Sequence, residues 1–276
     1  MTTTAPSSFW ICAACAVEHA ERTEVCAICA DERQWVPAEG QIWTTLADLR
    51  DAGQRIEVVE REPDLWAVRS SPGVGIGQQS KLLRTDAGCL LFDPIGYIDQ
   101  AGVDAVTAVG NVTAIVASHP HMYGVQVEWG RALGASVLVA EQDQQWVARP
   151  DPIIRTWSGD LEVLPGVTLT QPGGHFPGSA VAHWAAGASG EGVLLASDTI
   201  FANPDRTSVS FMRSYPNRIP LSGRVVDRIA SHVERFAFDR LYGNFDNVIP
   251  SDARRIVRRS ADRHIGWVNG DFDQLT

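Results

Sequence analysis

Two closely spaced cysteine pairs in the segment ICAACAVEHAERTEVCAIC constrain this chain more than any other feature. Cys12 and Cys15 are followed, after ten residues, by Cys26 and Cys29. A CxxC turn presents both sulfurs to one point while its backbone N–H groups face the thiolates. Two such turns complete a tetrahedral four-sulfur shell. Zinc satisfies that shell and iron accepts the same geometry, so the metal stays open. A redox dithiol fits poorly, because that chemistry uses one CxxC opening a helix inside an α/β domain. His19 lies between the pairs, but four cysteines already fill the shell. So short a segment cannot bury enough apolar surface to fold alone, and metal binding would supply its folding energy. The link ADERQWVPAEG is short enough for this knuckle to dock on the main domain and shape an active-site entrance. We divide the chain into a metal knuckle with its linker, residues 1–40, and that main domain, residues 41–276.

The whole chain has 276 residues and is 45% hydrophobic, ample for one sizeable core and an appendage. Its net charge of -10 repels phosphate backbones, so no nucleic-acid partner is expected. The basic run Arg254, Arg255, Arg258 and Arg259 reads as a broad solvated helix face. MTTTAPSSFW lacks a positive n-region followed by an apolar stretch. The longest apolar runs, such as VGNVTAIVA, are strand length and far from the roughly 20 residues that cross a bilayer. A cytoplasmic protein with reduced thiols and no membrane partner is the expectation. Cys89, in the apolar run GCLLFDP, reads as a buried free thiol.

Along the main domain, TTLADLRDAG reads as a short helix capped by Thr44 or Thr45 and stopped by Gly53. Strands are expected in RIEVVE, LWAVRSS, KLLRT, GCLLFDP, VTAIVAS, ASVLVAEQD, DLEVLPG, VTLTQPGG, AVAHWAA and GVLLASD. Helices are expected in DQAGVDAVTAVG, VEWGRALG, RVVDRIASHVERF and SDARRIVRRSADRH. The GVGIGQQS loop approaches a dinucleotide fingerprint, but Gln78 stands where its third glycine belongs and no helix follows. The order is strand-rich with helices inserted, which excludes an all-α protein and lacks the cadence of a barrel.

Three histidines and an aspartate come directly after apolar strands: His119 and His121 after VTAIVAS, His175 in GGHFPGS after VTLTQ, and Asp198 after GVLLAS. Loops on one edge of a rigid sheet are where sites assemble. Three imidazoles and a carboxylate suit zinc or iron(II). His183 alternates with apolar residues and reads as a satisfied strand histidine. His232 and His264 read as surface or capping residues.

These segments carry a resemblance. SHPHMYG resembles the HxHxDH motif of metallo-β-lactamase fold hydrolases, GGHFPGS resembles their second histidine loop, and ASDTIF resembles their GDxxF motif. Order and spacing agree over roughly residues 56–250. The N-terminal CxxC pairs, SHPHMY and the stretch SFMRSYPNRIPL are similar to a subgroup of that superfamily, which extends the likeness over nearly the whole chain. The resemblance implies an α+β αββα sandwich with a rubredoxin- or zinc-ribbon-like knuckle. It implies that His119, His121, His175 and Asp198 hold a metal.

Departures from the pattern matter as much. Tyr123 and Gly124 stand where HxHxDH has the aspartate and histidine of a second metal site, and Asn244 stands near the position of that site's last histidine. The resemblance therefore implies a single ion. The expected function is hydrolysis of a lactone, thioester or amide by a hydroxide on one metal ion, the partner being a small-molecule substrate. Asp198 would be a ligand or a base. Tyr123 would either donate to a developing oxyanion or pack over the site. Arg213, Tyr215 and Asn244 are assigned to the substrate pocket, a rigid structural loop being the alternative for SFMRSYPNRIPL. Zinc is expected at both sites, with iron acceptable at either. Two other functions stay open: a non-haem iron redox or oxygen-dependent protein with the knuckle passing electrons, and a member that binds metal without turnover. A homo-oligomer is compatible with the sequence, but irregular periodicity marks no dimer face.

Overall fold

The computed structural model describes residues 9–276. The MTTTAPSS stretch, on which most of the leader reading falls, lies outside the described residues. Alternation builds the centre. In the strand Gly88–Phe92, Leu90 and Phe92 enter one apolar cluster while Cys89 and Leu91 enter another. In Val112–Ala117, Ala114 and Val116 separate from Ile115 and Ala117 in the same way. Strands apolar on both faces need cover on both sides.

That cover is a second sheet on one side and helices on the other. The first sheet orders its strands Ile154–Trp157, Ser136–Ala140, Val112–Ala117, Gly88–Phe92, Ser80–Thr85, Leu65–Ser71 and Arg55–Glu62. Its first four strands are parallel and the rest antiparallel. The second sheet orders Leu161–Leu164, Val167–Thr170, Val181–Trp184, Val193–Leu195, Arg240–Tyr242 and Val248–Ile249. Leu90, Phe92 and Val116 meet Leu169, Ala182 and Leu195 between the sheets. The helices Gln100–Val109 and Gln126–Leu133 cover the outer face of the first sheet through Val106 and Trp129. Gly223–Val233 and Ala253–Val268 cover the second through Val226, Ile229 and Val257. This is the expected αββα sandwich.

Local expectations are met at several points. Thr45 caps the helix Leu46–Asp51 through a reciprocal box with Asp48. Cys89 is a buried free thiol. His183 donates from Nε2 to the Ala237 carbonyl at 2.7 Å, and His264 donates to the Leu221 carbonyl at 2.8 Å. Arg254, Arg255 and Arg259 are exposed. The edge strand Ile154–Trp157 has no counterpart in the sequence reading, because its exposed Arg155 and Thr156 break the apolar pattern. No helix among the described residues is long and apolar enough to cross a membrane.

The knuckle's sheet pairs Trp10–Cys12 with Glu18–His19 on one side and with Trp43–Thr44 on the other. It therefore runs past residue 40, because Trp43 closes the sheet as a third strand. Nor does it keep a core of its own: Ile11, Val17 and Ile28 share one cluster with Val68, Leu91 and Ile115 of the main domain.

Candidate metal centres

The four residues at the strand ends converge. His119 continues Val112–Ala117 in extended conformation, and Pro120 starts a tight turn that carries His121 back toward it. His175 comes from the loop after Val167–Thr170 and Asp198 from the turn after Val193–Leu195. His119, His121 and His175 are each 1% exposed and Asp198 is 7% exposed. His175 Nε2 lies 3.2 Å from His121 Nδ1, His119 Nε2 lies 3.5 Å from Asp198 Oδ2, and His175 Nε2 lies 3.9 Å from Asp198 Oδ2. A tetrahedral ion with bonds of about 2.0–2.1 Å has ligand–ligand edges of about 3.3–3.4 Å. The donor atoms therefore stand at coordination spacing.

Their hydrogen bonds set which nitrogens are free. His175 Nδ1 donates to the Met212 carbonyl at 3.1 Å, which leaves its Nε2 lone pair facing the centre. Ser118 gives its backbone N–H to Asp93 at 2.6 Å and its hydroxyl proton to the same carboxylate at 2.9 Å. Ser118 Oγ is then left to accept from His119 Nδ1 at 2.9 Å. This assignment turns the His119 Nε2 lone pair inward, the usual support of a metal-binding histidine. His119 Nε2 and Asp198 Oδ1 are buried without hydrogen-bond partners. Buried lone pairs are normally satisfied, so these atoms point to an ion. Burial, then the charge of neighbouring His119, pushes His175 down to about 4. Burial with His175 and His119 pushes His121 well below the usual histidine range. Both rings are neutral at physiological pH, as ligands must be. Burial opposes charge on Asp198, but the adjoining imidazoles of His119 and His175 hold its carboxyl below the ordinary value.

The cysteines form a second centre. Cys12 and Cys29 sulfurs are 3.6 Å apart, and those of Cys15 and Cys26 are 3.8 Å apart. Zinc–sulfur bonds of about 2.3 Å give edges of about 3.8 Å. His19 is not a fifth ligand: its Nε2 sits 3.4 Å from Cys26 Sγ, and its ring meets Trp43 edge-on. Gln41 Nε2 donates to Cys12 Sγ at 3.2 Å. Among the described residues, only these two groups of His, Cys, Asp or Glu gather at metal-binding spacing.

The knuckle docks on the loops of the histidine site. Glu18 N–H donates to the Gly124 carbonyl at 2.9 Å, and the Glu18 carboxylate binds Arg149 at 2.5 Å and the Val127 N–H at 2.7 Å. Arg33 is 6% exposed. Its Nε donates to the His175 carbonyl at 2.7 Å, and its guanidinium lies 4.1 Å from the Phe176 ring centroid. Ser214 Oγ donates to the Arg33 carbonyl at 3.1 Å, one residue from Arg213 and two from Met212, the acceptor for His175. Arg33 thus ties the cysteine knuckle to the backbone of His175, a candidate metal ligand. Arg33→Met is expected to weaken metal retention at the histidine site about tenfold, the scale of outer-shell substitutions. Competition with a chelator measures this; unchanged release would show that the clamp does not hold the loop.

Several residues assigned from sequence lie elsewhere than expected. Tyr123 is 1% exposed, and its hydroxyl donates to the Asp143 carbonyl at 3.0 Å. Its one proton is committed there, so the packing role replaces the oxyanion role. Arg213 is engaged by the knuckle, its Nε pairing with Glu32. Asn217 adds bonds to the Glu32 and Gln34 carbonyls at 2.8 and 3.0 Å. Tyr215 sits beside the centre, its ring 5.8 Å from His175, but its hydroxyl bonds to the Asp198 carbonyl at 3.0 Å. It therefore holds the Asp198 turn. Asn244 donates to Asp93 at 2.5 Å and is 2% exposed, so it braces the Asp93–Ser118–His119 chain. The sequence reading missed Arg33, Ser118 and Asp93. The phrase FDP before a loop was the only signal for Asp93, and Arg33 gave none.

No family model matches the sequence. Among solved structures, the metallo-β-lactamase DIM-1 aligns with a TM-score of 0.56 at 10% identity, covering 76% of this chain and 96% of that one. The metallo-β-lactamase FIM-1 from Pseudomonas aeruginosa, in its mono-zinc form, aligns with a TM-score of 0.54 at 13% identity, covering 75% and 95%. The chain has the metallo-β-lactamase fold. In sequence it is 41% identical over 269 residues to the uncharacterized protein YmaE of Bacillus subtilis (strain 168), covering 96% of this chain and 98% of that one. It belongs to the family of YmaE.

Proposed function

We propose that this protein is a metal-dependent hydrolase of a small carbonyl compound, such as a lactone, thioester or amide, working with one zinc ion. The observation that carries the reading is the buried set of three histidines and Asp198, with His119 Nε2 and Asp198 Oδ1 lacking any other partner. His119, His121 and His175 would hold the ion, oriented by Ser118 and the Met212 carbonyl where bonds exist. When bound, zinc supplies Lewis acidity toward a carbonyl and lowers the pKa of water. Asp198 is an ionised carboxylate whose Oδ1 is free to take a proton, while Tyr215 fixes its backbone. Tyr123 and Gly124 offer no second donor set, which supports one ion, and the solved FIM-1 neighbour is in a mono-zinc form. The four-cysteine knuckle would hold a second zinc with a structural role. Five free cysteines among the described residues favour a reducing, cytoplasmic setting.

The test is elemental analysis of untagged protein, followed by a panel of lactones and activated thioesters. Two zinc ions per chain and turnover of one panel class are expected. Iron in the histidine site would replace this reading with redox chemistry. A single knuckle ion with no turnover would replace it with a binding role.

A further inference from the structure

A cavity of about 500 Å³ opens beside the strands Arg240–Tyr242 and Val248–Ile249. It holds none of the metal ligands, and four cations line it: Arg61, Lys81, Arg206 and Arg240. Two of these are compensated. Arg61 pairs with Asp246 at 2.5 Å, and Arg240 pairs with Glu62. The other two are not. Lys81 is 2% exposed, and its Nζ has no hydrogen-bond partner. Arg206 sits on an exposed turn whose backbone N–H donates to the Asn203 carbonyl at 2.9 Å, and its guanidinium has no hydrogen-bond or ionic partner among the described residues.

An unpaired ammonium inside a protein is costly, and a fold keeps one where something else completes it. The chain carries a net charge of -10, so this wall reverses the sign of the whole. The remaining lining adds apolar surface from Tyr242, Phe245, Val248 and Pro250. The volume falls in the range of small-molecule sites, about 300–1,000 Å³, and exceeds what a lone inorganic ion needs. We propose that this cavity binds a small organic oxyanion, a carboxylate or phosphate ester, whose charge meets Lys81 and Arg206 and whose apolar part lies against Tyr242 and Phe245.

The state of Lys81 gives the site a signature. Burial, then the charge of Arg61, pushes Lys81 down to about 7, while Asp93 and Asp246 pull it up. Arg206, Arg240, Tyr242 and Asp246 are the other charged or titratable groups that line the cavity besides Arg61, and the charge of Asp93 also acts on Lys81. At pH 8 the amine is largely neutral, and an arriving anion would draw a proton onto it.

Calorimetry with phenyl phosphate and inorganic phosphate, on full-length metal-loaded protein, tests this. Phenyl phosphate is expected to bind at one site per chain, more tightly than inorganic phosphate, with uptake of a proton at pH 8 seen by comparing buffers. Lys81→Met should weaken it about tenfold or more, and Arg206→Gln a few-fold, as buried and rim charges do. Arg206→Gln lies on an exposed turn and reports even where Lys81→Met fails to fold. Binding should survive in His121→Ala, which separates this cavity from the metal centre. Absence of binding, indifference to both charge substitutions, or loss in His121→Ala would each overturn the proposal.

Discussion

His121→Ala is expected to remove one metal ion per chain and to reduce hydrolysis roughly a thousandfold, since Lewis-acid stabilisation is worth several kcal/mol and each 1.4 kcal/mol is tenfold. The residue is 1% exposed, and its Nδ1 lies 3.2 Å from His175 Nε2, so no other side chain can take its place. The knuckle should keep its own ion, because its shell is four sulfurs and contains no histidine. Metal content per chain and turnover of the active panel compound are read together. Full turnover with two ions still bound would reject the histidine site as the reaction centre.

The second large effect is expected from the opposite centre. Cys12→Ser with Cys15→Ser removes half of the sulfur shell, and structural zinc of this kind contributes on the order of 10–16 kcal/mol to folding its segment. Residues 9–44 should become open to proteolysis. The damage should spread, because Arg33 holds the His175 carbonyl and Glu32 holds Arg213. The histidine site should lose metal about 10–100-fold more readily, although neither cysteine touches it. Chelator competition at the histidine site, alongside limited proteolysis, measures both. If proteolysis rises while that affinity stays unchanged, the knuckle folds independently of the centre and only rides on it.

What the sequence made legible was local. The CxxC pairs, His119-x-His121, and the strand-ending His175 and Asp198 are each set by neighbours within a few residues. The two-faced strands emerge from alternation in runs such as GCLLF and VTAIVA. What stayed hidden was the partner of each polar side chain. Arg213 meets Glu32 across 181 residues of chain, and Arg33 meets His175 across 142. No periodicity encodes such a meeting. Tyr123 and Asn244 were misplaced for the same reason: family position gave their address, but the direction of the side chain depends on Asp143 and Asp93, which lie in other loops. Lys81 was visible only as a lysine at the start of an apolar strand, which a surface position would explain equally well.

Gly124 carries a consequence for what this architecture can become. It sits at φ +50°, and a Cβ there would lie 2.2 Å from the Pro94 carbonyl oxygen. Its own carbonyl receives the Glu18 N–H of the knuckle. The position at which the HxHxDH resemblance would place a histidine is here a seat for the N-terminal segment. A histidine at 124 would strike the Pro94–Ile95 backbone and unseat that segment. A side chain at 124 and the docked knuckle thus compete for one corner, and in this chain the knuckle occupies it.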